Sequence, residues 1–258
     1  MKVCFIAGTL GLGGAERQLL YMLRALRDTG IETRVLCLTQ GEPFEAPIKE
    51  IGIEVEWLGD SKSRIVRMLK IINNVRKRPV DILQSAHFYT NIYAGATGRL
   101  LGIPCLGAVR NDLTSELAAN GIFGVWQLRL PGHLLANSKL ALSRAKMLGI
   151  SQHSAHFLGN VVEAECLNVR AQNTEYDTAH IVFVGRLVPQ KNPELFVRFA
   201  SRLVRDLPDR QLSFEVAGDG PLRGKLEQLV SESGFSAKQF VFSGTASSIE
   251  EVYRRADI

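Results

Sequence analysis

Short apolar segments alternate with amphipathic helical segments along almost the whole of this 258-residue chain. An apolar segment at residues 3–7 precedes a helical pattern over about 15–27, and segments of both kinds follow in turn up to residue 158. The alternation restarts at residues 180–184, which precede a helical pattern at 193–205. Strand–helix repeats of this kind form parallel sheets with helices on both faces. We therefore predict an α/β fold with two Rossmann-like, doubly wound domains that face each other across a cleft.

A polar stretch without periodicity separates the two series of repeats. Residues 163–178 are predicted to link a first domain at 1–162 to a second domain at 179–258. The second domain has only three complete strands, which is few for a doubly wound sheet. Asp257-Ile258 follows a helix as Asp81-Ile82 does at the start of the fourth strand. We expect an N-terminal fragment of a longer protein, with a naturally short domain as the alternative.

Composition and motif content exclude several classes of function. The net charge of +5 suits anionic partners such as nucleotides or phospholipid, but no nucleic-acid recognition motif accompanies it. No His/Cys cluster has metal-ligand spacing, and no Ser/His/Asp arrangement is visible. The four cysteines lack CxxC spacing, which favours reduced thiols. Because no segment approaches the ~18 apolar residues of a membrane span, we expect a cytoplasmic protein, at most peripheral at the inner face of the membrane.

The first predicted strand is followed by a glycine-rich loop at residues 8–14. It is neither a dinucleotide fingerprint, because Glu16 occupies the third glycine position, nor a Walker A loop, because no Gly-Lys-Ser/Thr occurs. Gly13 and Gly14 would let backbone amides approach a ligand closely. We favour a ligand-binding loop over a plain tight turn because ligands bind at the carboxyl ends of strands in open sheets.

Two further polar residues follow strands of the first domain. His87 comes after the fourth strand and is predicted either to bond a sugar hydroxyl or phosphate or to be simply packed. Arg110 comes after the fifth strand, where it would either hold an anionic group or pair with Asp112. Both residues are therefore candidate substrate contacts.

The second domain opens with a strand, a glycine and two cations. Arg186 and Lys191 lie in the loop before a helix that begins at Asn192-Pro193, and asparagine and proline are good helix-starting residues. The pattern predicts two positive charges beside a helix N-terminus, which favours a diphosphate; the alternative is solvated surface charge. Gly218 follows the next strand, in a turn that offers close ligand approach as a secondary role.

The segment 62–78 is strongly basic, with apolar residues interleaved. A basic amphipathic helix of this kind is able to lie on an anionic membrane. The alternative, which we prefer slightly, is a helix packed on the core with a solvated cationic face.

Several motifs in combination resemble the family 4 glycosyltransferases of GT-B fold over nearly the whole chain. They are Gly13-Gly14-Ala15-Glu16, residues 183–187 with Lys191-Asn192, residues 217–221, and Phe242-x-Gly244 followed by Tyr253-x-x-Ala256-Asp257.

This resemblance implies a retaining transferase that moves a sugar from a nucleotide-sugar donor, held mainly by the second domain, to a glycan or lipid-linked acceptor, held mainly by the first. Arg186 and Lys191 fall on positions that hold the donor diphosphate, which makes them the catalytic candidates, and Gly13 and Gly14 fall on the loop that closes over both substrates. Glu16, His87, Arg110 and Gly218 are the further substrate-binding candidates. Attack on the front face would need no protein nucleophile, no metal and no other cofactor.

The chain departs from the family pattern in two places. Many members have a histidine after the fifth strand, where this chain has Arg110, so the usual contact to the donor sugar is in doubt. The family's E-x₇-E pair would follow Ile258, so we expect these 258 residues alone to be inactive or nearly so. A sugar-nucleotide-binding protein or epimerase of the same fold, and a non-catalytic membrane-docking module, remain as alternatives.

Overall fold

A computed structural model describes residues 1–111, 113–162, 178–246 and 248–258. The chain divides into two compact units, Met1–Val161 and Val162–Ile258, which are described in turn. The predicted linker at 163–178 lies outside the described residues except for Thr178, which begins a strand.

The first unit is built on a seven-stranded sheet with the order β3-β2-β1-β4-β5-β6-β7. Every pairing in it is parallel. The strands are β1 Lys2–Ala7, β2 Glu32–Cys37, β3 Glu54–Trp57, β4 Ile82–Ser85, β5 Cys105–Val109, β6 His133–Ala136 and β7 Ala155–Phe157. The helices are α1 Gly14–Asp28, α2 Glu45–Glu50, α3 Arg64–Lys77, α4 Asn91–Leu101, α5 Thr114–Asn120, α6 Ile122–Arg129 and α7 Lys139–Met147.

Strand β1 shows why this sequence needs helices on both faces of the sheet. Its side chains alternate in direction, so Phe5 joins one buried cluster with Leu19 and Leu23 of α1, while Ile6 joins another with Ile71 of α3. A strand that is buried on both faces reads as a continuous apolar run, which is what the sequence has at this point. The predicted α/β fold is confirmed.

Several short helical elements of the first unit were not predicted. They are α2, α5, α6 and two 3-10 turns, one at Gln152–Ser154 and one at Phe88–Thr90, where the sequence pattern suggested the start of α4. Helix α2 is one short segment that contains Pro47, and α5 is separated from α6 by Gly121 with φ 53°. Short helices of this kind give too few turns for a clear 3.6-residue period.

The second unit contains a three-stranded parallel sheet with the order β10-β9-β8. Its strands are β8 Thr178–Val184, β9 Gln211–Ala217 and β10 Phe240–Gly244, and its helices are α8 Pro193–Asp206, α9 Arg223–Glu232 and α10 Ile249–Arg255. The core is rich in phenylalanine: the rings of Phe196, Phe214 and Phe240 pack with centroids 5.9–6.2 Å apart.

After α10 the chain returns to the free edge of β8. The amide of Asp257 donates to the carbonyl of His180 at 2.8 Å, and the amide of Val182 donates to the carbonyl of Ile258 at 2.9 Å. These bonds place Asp257 and Ile258 alongside β8, where the sequence predicted the start of a strand.

No helix in the described ranges is both long and apolar enough to cross a membrane.

Candidate functional site

The glycine-rich loop after β1 is held by a buried histidine and a buried glutamate. The amide of Gly8 donates to Nδ1 of His87 at 3.2 Å, so Nε2 carries the ring proton and donates to Oε1 of Glu16 at 3.0 Å. His87 follows β4 and Glu16 lies in the first turn of α1, and both side chains are about one-tenth exposed. The structure thus joins two predicted site residues into one hydrogen-bonded chain beneath the loop.

A side chain would overlap neighbouring side chains at two positions of this loop but not at a third. A side chain at Gly8 would overlap the ring of Tyr89, which stacks on His87, and one at Gly13 would overlap the carboxylate of Glu16. A side chain at Gly14, by contrast, would meet no atom within 4 Å. The fold therefore explains Gly8 and Gly13, whereas Gly14 is free of internal contacts at its Cβ position.

The carboxylate of Glu42 anchors the same loop from the other side, a contact that the sequence did not suggest. It accepts hydrogen bonds from the hydroxyls of Thr9 at 2.8 Å and Thr39 at 2.6 Å, and from the amide of Leu10. Burial alone would raise the pKa of Glu42, but these hydrogen bonds outweigh burial and lower it. The only sequence signal for this role of Glu42 was its position shortly after the end of β2. Because this part of the loop already binds an anion, sugar hydroxyls suit it better than phosphate.

Arg110 follows β5, and two of the three nitrogen atoms of its guanidinium are buried and unsatisfied. Its Nε and Nη2 atoms are shielded from solvent and have no hydrogen-bond partner among the residues described. Its carbonyl accepts from Nδ2 of Asn137, the residue after β6, at 2.7 Å. Oδ1 of Asn137 is also buried without a partner in the described structure. Asn137 was not predicted as a site residue, although it follows a strand at the same edge of the sheet.

In the second unit, Arg186 and Lys191 lie in the connection between β8 and α8, as predicted. Both side chains are exposed, and neither forms an ion pair within the described part of the chain. The connection includes a 3-10 turn, Pro189–Lys191, that was not predicted. Helix α8 begins at Pro193, but Asn192 does not cap it through its side chain, and that expectation was wrong. Asn192 instead adopts the left-handed conformation with φ 47°, which asparagine tolerates better than most residues.

The loop after β9 packs directly against the loop that contains Arg186. A side chain at Gly218 would collide with the backbone oxygen of Gly185, and the amide of Leu187 donates to the carbonyl of Asp219 at 2.9 Å. Gly218 is therefore required by close backbone contact, whatever it does for a ligand. This contact fixes the backbone position of Arg186.

A buried acid in the middle of β9 links three elements of the second unit, and the sequence did not single it out. The carboxylate of Glu215 accepts two hydrogen bonds from Arg255, at 2.5 and 2.9 Å, and contacts Nε2 of His180 at 3.1 Å. The Arg255 hydrogen bond is the main cause that lowers the pKa of Glu215 to about 2, against the opposing effect of burial. The network ties β8, β9 and α10 together.

Helix α3 combines a core face with exposed apolar residues. Ile71, Ile72 and Val75 are buried, as expected for a core-packed helix, whereas Ile65 is 73% and Leu69 59% exposed. Not all of the predicted basic segment is free, since a residue after the helix, Arg78, forms two hydrogen bonds with Glu54 at 2.6 and 2.7 Å. No group of three or more potential metal ligands occurs among the residues described.

The sequence matches two glycosyltransferase families. Residues 12–165 match the family described as Glycosyltransferase Family 4, and residues 167–258 match Glycosyl transferases group 1. Together, the two matches cover almost the entire chain.

Two curated relatives are similar over most of their length. One, from Campylobacter jejuni, is GalNAc-alpha-(1->4)-GalNAc-alpha-(1->3)-diNAcBac-PP-undecaprenol alpha-1,4-N-acetyl-D-galactosaminyltransferase, 24% identical over 100% of this chain and 72% of the relative. The other, from Streptomyces kanamyceticus, is 2-deoxystreptamine glucosyltransferase, 26% identical over 88% of this chain and 68% of the relative.

Solved structures share the fold. Anabaena HepE in complex with UDP-glucose has a TM-score of 0.81 at 15% identity. The match covers 100% of this chain and 72% of the HepE chain. The lipopolysaccharide outer core galactosyltransferase WaaB in its apo form has a TM-score of 0.71 at 18% identity. The match covers 99% of this chain and 71% of the WaaB chain.

Proposed function

This chain belongs to Glycosyltransferase Family 4, and from that premise we propose that it transfers a sugar from a uridine diphosphate donor to a lipid-linked glycan with retention. It is a glycosyltransferase of GT-B fold. The uridine nucleotide is suggested by HepE, whose structure holds UDP-glucose, and the acceptor by the Campylobacter relative, whose name includes a PP-undecaprenol glycan.

The observation that carries the proposal is the pair of exposed cations before α8. Arg186 and Lys191 have no ion-pair partner in the described structure, and the Gly218 loop fixes the backbone beside Arg186. When the bond between the sugar and the diphosphate breaks, its electron pair goes to the diphosphate, where negative charge builds up. Two cations and the N-terminus of a 14-residue helix would stabilise that charge more strongly in the transition state than in the bound donor.

In the first unit, the residues of the glycine loop have a different role. The Glu16–His87 pair and the Glu42 anchor hold the loop in one shape, and Gly14 is left with open space at its Cβ position. We assign Glu16 and His87 to positioning this loop, since both ring nitrogens of His87 already have partners in the unit, and Gly13 and Gly14 to the binding of sugar hydroxyls, with Gly14 as the residue that a substrate approaches most closely.

The test measures both donor binding and transfer. Calorimetry with UDP and UDP-sugars gives the donor affinity, and a nucleotide-sugar panel with detection of released diphosphate gives the turnover. In the full natural chain, Arg186→Ala is expected to lower kcat/KM by about 100-fold or more, as the loss of one oxyanion donor does. Arg202→Ala, which removes an exposed arginine of helix α8, is the matched control and should leave both readings unchanged.

An unchanged kcat/KM in Arg186→Ala would remove this residue from the donor site. The reaction product separates transfer from isomerisation: a transferase joins the sugar to the acceptor, whereas an epimerase returns a nucleotide-sugar of changed configuration.

A second proposed activity, contact with a membrane surface, is favoured by the exposed residues of α3. Ile65 and Leu69 lie one helical turn apart among basic residues, which is the arrangement that binds anionic lipid. Ile65→Ser with Leu69→Ser should abolish co-sedimentation with phosphatidylglycerol vesicles, while Leu195→Ser, an exposed leucine of α8, should not. Equal sedimentation of all variants, or none by the unmodified chain, would contradict membrane contact.

A further inference from the structure

The guanidinium of Arg110 leaves one complete binding edge unused. The two unpaired atoms, Nε and Nη2, carry N–H bonds that point in the same direction along one edge of the planar group. This edge is the one that receives the two oxygens of a carboxylate or phosphate in a bidentate pair. The missing partner therefore has a defined shape, two oxygen atoms of one anionic group.

A buried guanidinium without hydrogen-bond partners is unfavourable. The buried guanidinium of Arg34 in the same unit does have partners. Burial lowers the pKa of Arg110, and no anion among the described residues counteracts this effect. The buried Arg34, by contrast, donates to Asn74 at 2.5 Å and to the carbonyl of Arg78 at 2.9 Å, and lies 3.8 Å from Glu56. The unpaired edge of Arg110 is thus a local feature of the sheet edge and not a general property of this unit.

A second unsatisfied atom lies on the neighbouring strand. Val109 and Ala136 are paired in the β5–β6 ladder, so Arg110 and Asn137 are the next residues in register. Nδ2 of Asn137 donates to the Arg110 carbonyl at 2.7 Å and to Oδ1 of Asn160 at 3.4 Å, which sets the orientation of the amide. Oδ1 then remains as a buried acceptor without a partner in the described ranges. A ligand that satisfies both residues carries a two-oxygen anion and a hydroxyl.

We infer that Arg110 and Asn137 form a specificity site for an acidic substrate: Arg110 binds two oxygens of a carboxylate or phosphate, and Asn137 Oδ1 accepts from a hydroxyl of the same molecule. The inference rests on the proposed function, because both residues lie at the carboxyl edge of the sheet that carries the glycine loop. Two sources have the required chemistry, an acidic sugar in the donor and a phosphate group of the acceptor.

Matched ligand pairs distinguish the two sources. Calorimetry compares UDP-glucuronate with UDP-glucose for the donor, and dodecyl phosphate with dodecyl glucoside for the acceptor. The anionic member of one pair should bind roughly 10- to 100-fold more tightly to the unmodified chain, as expected for a charge-assisted bidentate contact. Arg110→Gln should abolish this ratio, Arg110→Lys should retain part of it, and Arg202→Gln should leave it unchanged. Equal affinities within both pairs, or a ratio that survives in Arg110→Gln, would overturn the inference.

The empty protein gives a test that needs no ligand. Arg110→Met removes an unpaired buried charge and should raise the melting temperature by several degrees, whereas a fall would mean that the guanidinium has an internal partner. Asp112→Asn should leave the melting temperature unchanged; a drop would favour the Arg110–Asp112 ion pair and overturn the inference. Failure of UDP itself to bind would instead count against the proposed function and leave these stability results valid.

Discussion

The stability of the second unit should depend on pH through Glu215. Its carboxylate is only 6% exposed and is bonded to Arg255 at 2.5 and 2.9 Å, with His180 at 3.1 Å. The pKa falls from 4.5 to about 2 because hydrogen bonds, above all from Arg255, favour the ionised form. Since each unit of pKa corresponds to ~1.4 kcal/mol, the ionised carboxylate contributes about 3 kcal/mol to the folded state.

The sign of the effect follows from the lowered pKa. An acid whose pKa is lower in the folded than in the unfolded state stabilises the fold fully above its unfolded pKa, here near 4.5. That contribution is lost as the pH falls from about 4.5 towards about 2, and roughly half or more of it is gone by about pH 3. Replacement by glutamine should therefore destabilise the second unit at pH 7 but not at pH 2.

The assay must report on the second unit alone. Both tryptophans, Trp57 and Trp126, lie in the first unit, so their fluorescence during urea unfolding serves as an internal reference. Pulse-labelling hydrogen exchange of peptides from β8, β9 and β10 gives the free energy of unfolding of the second unit at each pH. Glu194→Gln, which breaks an exposed ion pair with Lys225 in the same unit, is the matched control and should change little.

Two results would refute this reasoning about Glu215. The first is a difference between Glu215→Gln and the unmodified chain of less than about 1 kcal/mol at pH 7, which would mean that Arg255 gains as much from water as from the carboxylate. The second is a difference that stays constant between pH 7 and pH 2, since a cause other than ionisation would then be at work.

The remaining predictions concern the loops of the two units. Gly218→Ala forces the backbone of Gly185 to move and should lower the melting temperature of the second unit and its UDP affinity; a normal melting temperature would contradict the close contact. Glu42→Gln weakens the anchor of the glycine loop and should lower the free energy of unfolding of the first unit, measured in urea, by about 1–3 kcal/mol. An unchanged free energy of unfolding would mean that the loop does not depend on this anchor. Gly13→Ala should lower stability, whereas Gly14→Ala should leave stability intact and raise KM; equal behaviour of the two variants would contradict both assignments.

The fold was predictable because its signals are local. A strand such as β1 that is buried on both faces leaves a continuous apolar run, and the helices that cover it leave a 3.6-residue period over more than three turns. The same reasoning failed for α5 and α6, which are seven and eight residues long and meet at Gly121. Their helical character depends on packing against neighbouring elements, which no short window of sequence records.

The candidate site was only partly predictable, because its supporting contacts join distant parts of the chain. Glu16 and His87 were both identified by their positions, but the 3.0 Å contact between them spans 71 residues. Glu42 and Glu215 were missed because partners that distinguish them from surface acids, the Leu10 amide and Arg255, lie 32 and 40 residues away along the chain. Long-range hydrogen bonds decide which acids are functional supports, and the sequence pattern contains no trace of such pairs.

The glycines show how the structure changes the interpretation of a motif. Sequence reasoning predicts close approach of a ligand to the backbone at Gly13 and Gly14, and gives Gly218 such a role only as a secondary possibility. The structure separates them: a Cβ at Gly218 would collide with the backbone oxygen of Gly185, whereas a Cβ at Gly13 would meet the side-chain carboxylate of Glu16. Gly14 has no such internal contact, because a Cβ there would meet no atom within 4 Å. This open space in a loop at the carboxyl edge of the sheet is what supports the proposed approach of the substrate to Gly14.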